Sequence, residues 1–290
     1  MRYFFLFILS ITISTISAQK QKTLKIKKYQ VAKLSDTISE NSGLTFFQNS
    51  MYTINDGGNP AEIYQINHKS GKIQNIFPTK LENKDWEAIT ADSTNIYVAD
   101  FGNNLGNRKD LAIYKIPFYG NKISDSVKAI KFYYPEQTDF SRRNINNDHD
   151  AEALIFLNGK LHLFSKEWVS KGTAHYVIDP DNYNLQAAEK KEYFDVGYVV
   201  TDAAYHNRKL YLVGYTKNTE VFLTIFNETK PGIFFESEPK RYYLGSSFSL
   251  SQIEGVEADE QGVYISGESF TSPLGTKKPT LYYIPHRVFK

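Results

Sequence analysis

One phrase recurs five times along the 290-residue chain, and that recurrence limits the fold more than any other feature. Each copy has a small or acidic opening, a short strand, a turn, an aromatic-rich strand ending in polar residues, and a third strand close to Tyr-x-Ile. The copies begin at Ser42 (SGLTFFQNSMYTINDGG), Trp86 (WEAITADSTNIYVADFGNN), Ala151 (AEALIFLNGKLHLFSKEW), Thr201 (TDAAYHNRKLYLVGYTK) and Ile253 (IEGVEADEQGVYISGES). Their anchors Gly43, Ala88, Ala153, Ala203 and Gly255 lie 45, 65, 50 and 52 residues apart. A unit of that length built from short strands cannot bury its apolar faces alone, and a period of this size is the mark of blades packed around an axis.

The apolar runs are four to eight residues long and dominated by Tyr, Phe, Ile, Val and Thr, with turn clusters such as Asn55 to Asn59 and Asp259 to Gly262 between them. No helical periodicity extends beyond three turns. The fold class expected is all-β, a β-propeller of five four-stranded blades. Segments 72–80, 127–136, 190–196 and 240–247 supply the fourth strands of four blades. The last repeat has no such strand before Lys290, so the segment 23–34 (TLKIKKYQVAKL) is expected to pair with 280–285 and close the ring, removing two exposed edges. The alternative is six blades, with a degenerate one around residues 118–150.

Residues 1–18 read as a secretory signal peptide: Arg2, an uncharged run from Tyr3, and a small-residue exit at Ala18. The apolar part is too short for a membrane span of about 20 residues. The expected product is a single domain over 19–290, secreted or periplasmic, without a membrane span, and monomeric. The absence of cysteine excludes a disulfide scaffold, thiolate-bound metal and a thiol nucleophile. A net charge of +2 from 34 basic and 32 acidic residues leaves no footprint for nucleic acid.

Blade geometry turns the repeat into a site. The start of the innermost strand and the end of the second lie on one face, here called the top. Inner-strand starts bring Ser42, Asp85-Trp86-Glu87, Asp150-Ala151-Glu152, Thr201-Asp202 and Glu254 to equivalent places. Two carboxylates ~6 Å apart repel by ~3 kcal/mol at an effective dielectric of ~20, so a ring of them calls for a cation or for protons. An all-oxygen set suits Ca2+ and lacks the histidines of zinc or copper sites. The other outcome is a ring that bonds neighbouring backbone and holds nothing. Second-strand ends add Asp56, Asn59, Asp100, Asn103, Ser165 to Trp168, Tyr215 to Lys217, and Glu268. Of these, Asn103, Lys166, Lys217 and Glu268, with Arg143 from the long connection 136–149, are the candidate substrate-binding residues. That connection is a candidate lid.

The order Ser42, Glu87 beside Trp86, Glu152, Thr201 or Asp202, and Glu254 in Ile-Glu-Gly-Val-Glu resembles that of the calcium-activated nucleotidase (apyrase) family. The resemblance implies a five-bladed propeller with one axial Ca2+ held by Ser42, Glu87, Glu152, Thr201 or Asp202, and Glu254. The family's arginine-rich and aspartate-rich substrate loops have no counterpart here. The phrase DWEAITADSTNIYVADFGNN also resembles secreted bacterial propellers, some grouped near esterase-like phytases. Gly-x-Ser-x-Gly, Walker, His-Glu-x-x-His and EF-hand motifs are absent. Two functions are open: a binding module for a small anionic ligand, glycan or protein on the top face, or a metal-dependent hydrolase of a phosphorylated or other anionic small molecule.

Overall fold

In every repeat the first two strands pair antiparallel across a tight turn and a third continues the meander outward, with a fourth from the same repeat in the first four blades. The computed structural model describes residues 21–119, 122–273 and 275–289. The proposed signal peptide lies outside them. The five inner strands are Asn41–Phe47, Trp86–Ala91, Asp150–Leu157, Val199–His206 and Gln252–Ala258. The outermost strands of the first four blades are Ile73–Pro78, Lys128–Tyr133, Glu189–Phe194 and Lys240–Ser246, each within the segment expected from the sequence except that Glu189 begins one residue earlier. The chain forms five four-stranded sheets in a ring, a five-bladed β-propeller.

The fifth blade is completed from the other end of the chain. Gln30–Lys33 pairs antiparallel with Thr280–Pro285, setting Ala32 opposite Leu281 and Lys33 opposite Thr280. The segment 23–34 is not one strand, however. Ile26–Tyr29 form a turn of 3-10 helix, and Gln21–Thr23 adds a parallel strand to the edge of blade four beside Arg241 to Tyr243. The break has a packing cause: Ile26 and Leu24 are buried between blades four and five, so the chain bends to reach both. The wide spacing around 118–150 is not a sixth blade. It holds the end of the eight-residue strand Ala112–Tyr119, the outer strand Lys128–Tyr133 and the loop that follows.

The core is divided among the blade interfaces. Among the described residues there are five clusters of buried apolar side chains, one at each junction of neighbouring blades. Between blades one and two, Phe47, Tyr52, Phe77 and Phe118 meet edge to face, an arrangement that suits the ring quadrupoles. Each central strand is covered on both faces, which explains why its sequence reads as an almost unbroken apolar run. No helix among the described residues is long and apolar enough to cross a membrane.

Candidate functional site

Each inner strand slips register near its top end. The slips fall between Trp86 and Ala88, Ala151 and Ala153, Val200 and Asp202, Ile253 and Gly255, and Ser42 and Thr45. A bulge of this kind leaves one residue unpaired and re-aims it. In four blades the unpaired residues are Glu87, Glu152, Thr201 and Glu254. In blade one the extra residue falls at Gly43–Leu44, where Gly43 has φ +67° and a Cβ would stand 2.9 Å from the Ile89 nitrogen. The bulges carry the three glutamates into the axis.

They open on a top chamber of about 160 Å3. Its walls include Ser42, Asp56, Glu87, Glu152, Glu254 and Glu268, with Lys166, Tyr215, Gln252 and the Trp168 ring. Lys166 is buried and ion-paired with Glu152. Burial alone would depress its ammonium, but Glu152, Tyr215 and Glu254 around it hold it well above the ordinary lysine value, so it stays charged. Gln252 donates to both Glu254 and Glu268, 2.7 Å from each. Burial, with repulsion among the acids, pushes Glu87 and Glu268 well above the carboxylate range. One ammonium does not compensate so many carboxylates. Glu152 Oε2 is buried without a hydrogen-bond partner.

A second acidic group joins the chamber at the junction of blades one and two. Ligand oxygens of Asp56, Asp85 and Glu87 lie within 4.8 Å of one another. Burial raises Asp56 to about 6; burial, with Asp56 and Asp150 nearby, raises Asp85 to about 7. Two glycines make room for Asp85. A Cβ on Gly102 would come within 2.5 Å of Asp85 Oδ2 and 2.7 Å of Glu87 Oε1, and one on Gly57 within 2.7 Å of Asp85 Oδ1.

The other expected site residues are distributed unevenly. Asp202 does not face the chamber. Its carboxylate accepts from the backbone N–H groups of Ala203 (2.8 Å), Val256 (2.7 Å) and Leu44 (3.3 Å), tying blade four to blades five and one. The bulge sits one residue earlier, so Thr201 is the counterpart of the glutamates, and its hydroxyl donates to the Ile253 carbonyl at 2.8 Å. Ser42 lines the chamber but likewise donates to a carbonyl, that of Glu87, at 2.6 Å. Asn103 is a bracket between blades two and three: its N–H donates to Asp150 Oδ1 (2.6 Å) and its amide to the His149 carbonyl (2.9 Å). Arg143 is exposed and paired with Asp139. Its loop is pinned to blade two through Arg143 N–H to the Leu105 carbonyl, and none of residues 136–149 lines the chamber. Lys217 is exposed at the rim, its Nζ 6.0 Å from the Trp168 ring.

Sequence spacing placed Asp56 and Asp85 on the top face but did not unite them with Glu87, because their meeting depends on how two blades pack. It also missed Arg108, which bonds Asp100 (2.8 Å) and the Gly102 carbonyl (2.9 Å) and so braces the loop that carries Gly102.

No family model matches the chain, and no curated protein matches it in sequence. Solved structures do. A Thermus thermophilus protein, provisionally named an oxidoreductase (glucose dehydrogenase), aligns over 88% of this chain and 98% of its own at 10% identity and TM-score 0.50. A Bacteroides uniformis protein, provisionally named a 6-phosphogluconolactonase, aligns over 88% and 71% at 11% identity and TM-score 0.38. What is shared is the propeller fold. The sequence comparisons lend no support to the apyrase and phytase resemblances.

Proposed function

We propose that this protein is a cation-dependent binding propeller, holding Ca2+ at the junction of blades one and two and receiving a polar ligand in the top chamber. The observation that carries it is the convergence of Asp56, Asp85 and Glu87 within 4.8 Å, with glycines on either side where a side chain would intrude. The unpartnered Glu152 Oε2 is a further oxygen left without a donor. Hard oxygen ligands of this kind suit Ca2+, which tolerates irregular cages. The axial ring implied by the apyrase resemblance fits less well: Lys166 supplies the cation beside Glu152, and the Ser42 and Thr201 hydroxyls are committed as donors to carbonyls. Calcium is therefore assigned to Asp56, Asp85 and Glu87, where it would offset their charge and offer open positions to ligand oxygens.

Binding is favoured over hydrolysis of an anion. Lys166 is held by Glu152 and Arg143 by Asp139, so neither is aimed at a phosphoryl group in the chamber. Export, expected from residues 1–18, would place the site where calcium is abundant and a modest affinity suffices.

The test is calorimetric titration with CaCl2, joined to melting curves in chelator and in calcium. For a Kd of ~10 μM, ~1 mM calcium stabilises the fold by ~2.7 kcal/mol, a rise of several degrees for a chain this size. Asp85→Asn should abolish most of that response. Superimposable melting curves with and without calcium would remove the proposal.

A further inference from the structure

Trp168 stands where the chamber meets solvent, and three lysines surround it. The ammonium groups of Lys166, Lys171 and Lys217 lie 5.1, 5.3 and 6.0 Å from its ring centroid. The ring is fixed: its N–H donates to Asn104 Oδ1 (3.1 Å) and Asp150 Oδ2 (3.2 Å). Lys166 is paired with Glu152. Lys171 and Lys217 are not in an ion pair with any described residue. Lys171 donates to the Trp168 carbonyl, and its position at φ +62° holds it beside the ring. After burial, the neighbouring Lys217 charge is the main influence lowering the Lys171 ammonium below its ordinary value, with Asp148 opposing. Two ammoniums thus converge on one partly buried aromatic ring at the mouth of an acidic chamber.

We infer that the ligand of the top face is a sugar acid, whose ring stacks on Trp168, whose carboxylate sits at Lys171 and Lys217, and whose hydroxyls point into the chamber. The inference rests on the binding role proposed above and names its ligand class. Each part of the ligand answers a feature of the site. An anion between two converging ammoniums relieves their repulsion. A flat C–H face suits an indole ring whose polar edge is already engaged. With calcium on Asp56 and Glu87, the oxygens left on the chamber wall include those of Glu254, Glu268 and Tyr215, which exchange hydrogen bonds with sugar hydroxyls. The two ammoniums at the mouth fix the orientation, acid end outward. The volume of about 160 Å3 corresponds to about five water molecules, enough for the hydroxyl edge of one sugar ring.

Galacturonate and galactose differ at the carboxylate and share the ring, so they are the probes. Trp86 is fully buried and Trp168 is not, which makes ligand-induced change in tryptophan emission a report from Trp168. The full chain, with calcium and then with chelator, is titrated with each sugar and with inorganic phosphate. Galacturonate should bind at least tenfold more tightly than galactose and shift the emission. Lys171→Ala with Lys217→Ala should abolish that preference while leaving calcium titration unchanged, and Trp168→Phe should remove the emission change. Equal affinity for the two sugars, or an intact preference in the double lysine variant, overturns the inference. So does displacement of galacturonate by phosphate at equal concentration, which would mark a bare anion site. If calcium binds but galacturonate does not, the inference falls and the calcium role stands. Galacturonate binding unchanged by chelator, in a protein that takes up no calcium, would do the reverse.

Discussion

On the bottom of the ring, between blades four and five, a depression of about 830 Å3 is lined by His206, Lys209, Tyr211, Lys240, His286 and Phe289 among others, while the top chamber holds about 160 Å3. The larger space is built from turns and strand ends. Its histidines make ordinary contacts: the His206 and His286 rings lie nearly parallel at 5.9 Å, and His286 Nε2 donates to the Asp259 carbonyl at 2.7 Å. The smaller space gathers buried acids, an internal ammonium and an orphaned carboxylate oxygen. Volume at a blade junction follows from loop length. Concentrated charge requires the bulges that turn Glu87, Glu152 and Glu254 inward, and the cost of burying those acids gives the top face the stronger claim to a ligand.

The difference can be broken by removing one charge from each end. Lys166→Met leaves Glu152 buried without its cation, and the loss should be ~3–5 kcal/mol at neutral pH, a fall in Tm of about 10 °C, with Glu152→Gln added in the same chain restoring most of it. A Lys166→Met protein that melts with the unmodified one would erase the contrast between the two ends.

Asp202→Asn is the next largest. It replaces a carboxylate that accepts three backbone N–H groups on its two oxygens with an amide that keeps one oxygen and turns an NH2 against the donor or donors on the other side, at ~1–3 kcal/mol. Calcium titration should be unaltered. A calcium affinity that dropped with the melting temperature would return Asp202 to the cation site.

A third test uses pH in the presence of chelator. Asp56 and Asp85, at about 6 and about 7 in the folded chain, lie above their ordinary value of 3.8. The folded state therefore holds more protons than the unfolded state between those limits, and its stability falls as pH rises from 5 to 8. A loss of a few degrees in Tm over that range is expected, and Asp56→Asn with Asp85→Asn should shrink it, the remainder coming from groups such as Glu257, which burial raises to about 7. Burial gives His162 the opposite sign, since its pKa of about 4 lies below the ordinary 6.5 and stability is lost as pH falls through that window. A flat Tm between pH 5 and 8 in chelator would contradict the charge placed in the chamber. The smallest effect belongs to the bottom: Lys240→Met should change stability by no more than about 0.5 kcal/mol. A larger change would mean that the bottom depression too is held by charge.

Strands and faces were legible because both follow from periodicity. The phrase from Trp86 to Asn104 contains its own inner strand, turn and second strand, so the sequence alone places Glu87 and Asp100 at the same end. What escaped depends on displacements of one residue or on packing between repeats. Asp202 looks like the counterpart of Glu254 until a bulge assigns that place to Thr201. Asn103 has the polarity of a ligand contact, but its partners His149 and Asp150 belong to the next blade. The helical turn at Ile26–Tyr29 interrupts a segment whose alternation suits a strand, because two blades compete for Leu24 and Ile26.

The seam of the ring joins strands far apart in the chain. Gln30 lies opposite Tyr282, so blade five does not exist until nearly the whole chain is available. Closing a loop of that length costs ~5 kcal/mol in chain entropy, and the antiparallel pairing and buried side chains at the seam must repay it together. Assembly then has a built-in completeness check: a chain stopped short of Thr280 retains two raw edges, and limited proteolysis should digest it as an open array, whereas the full chain survives as a closed circle.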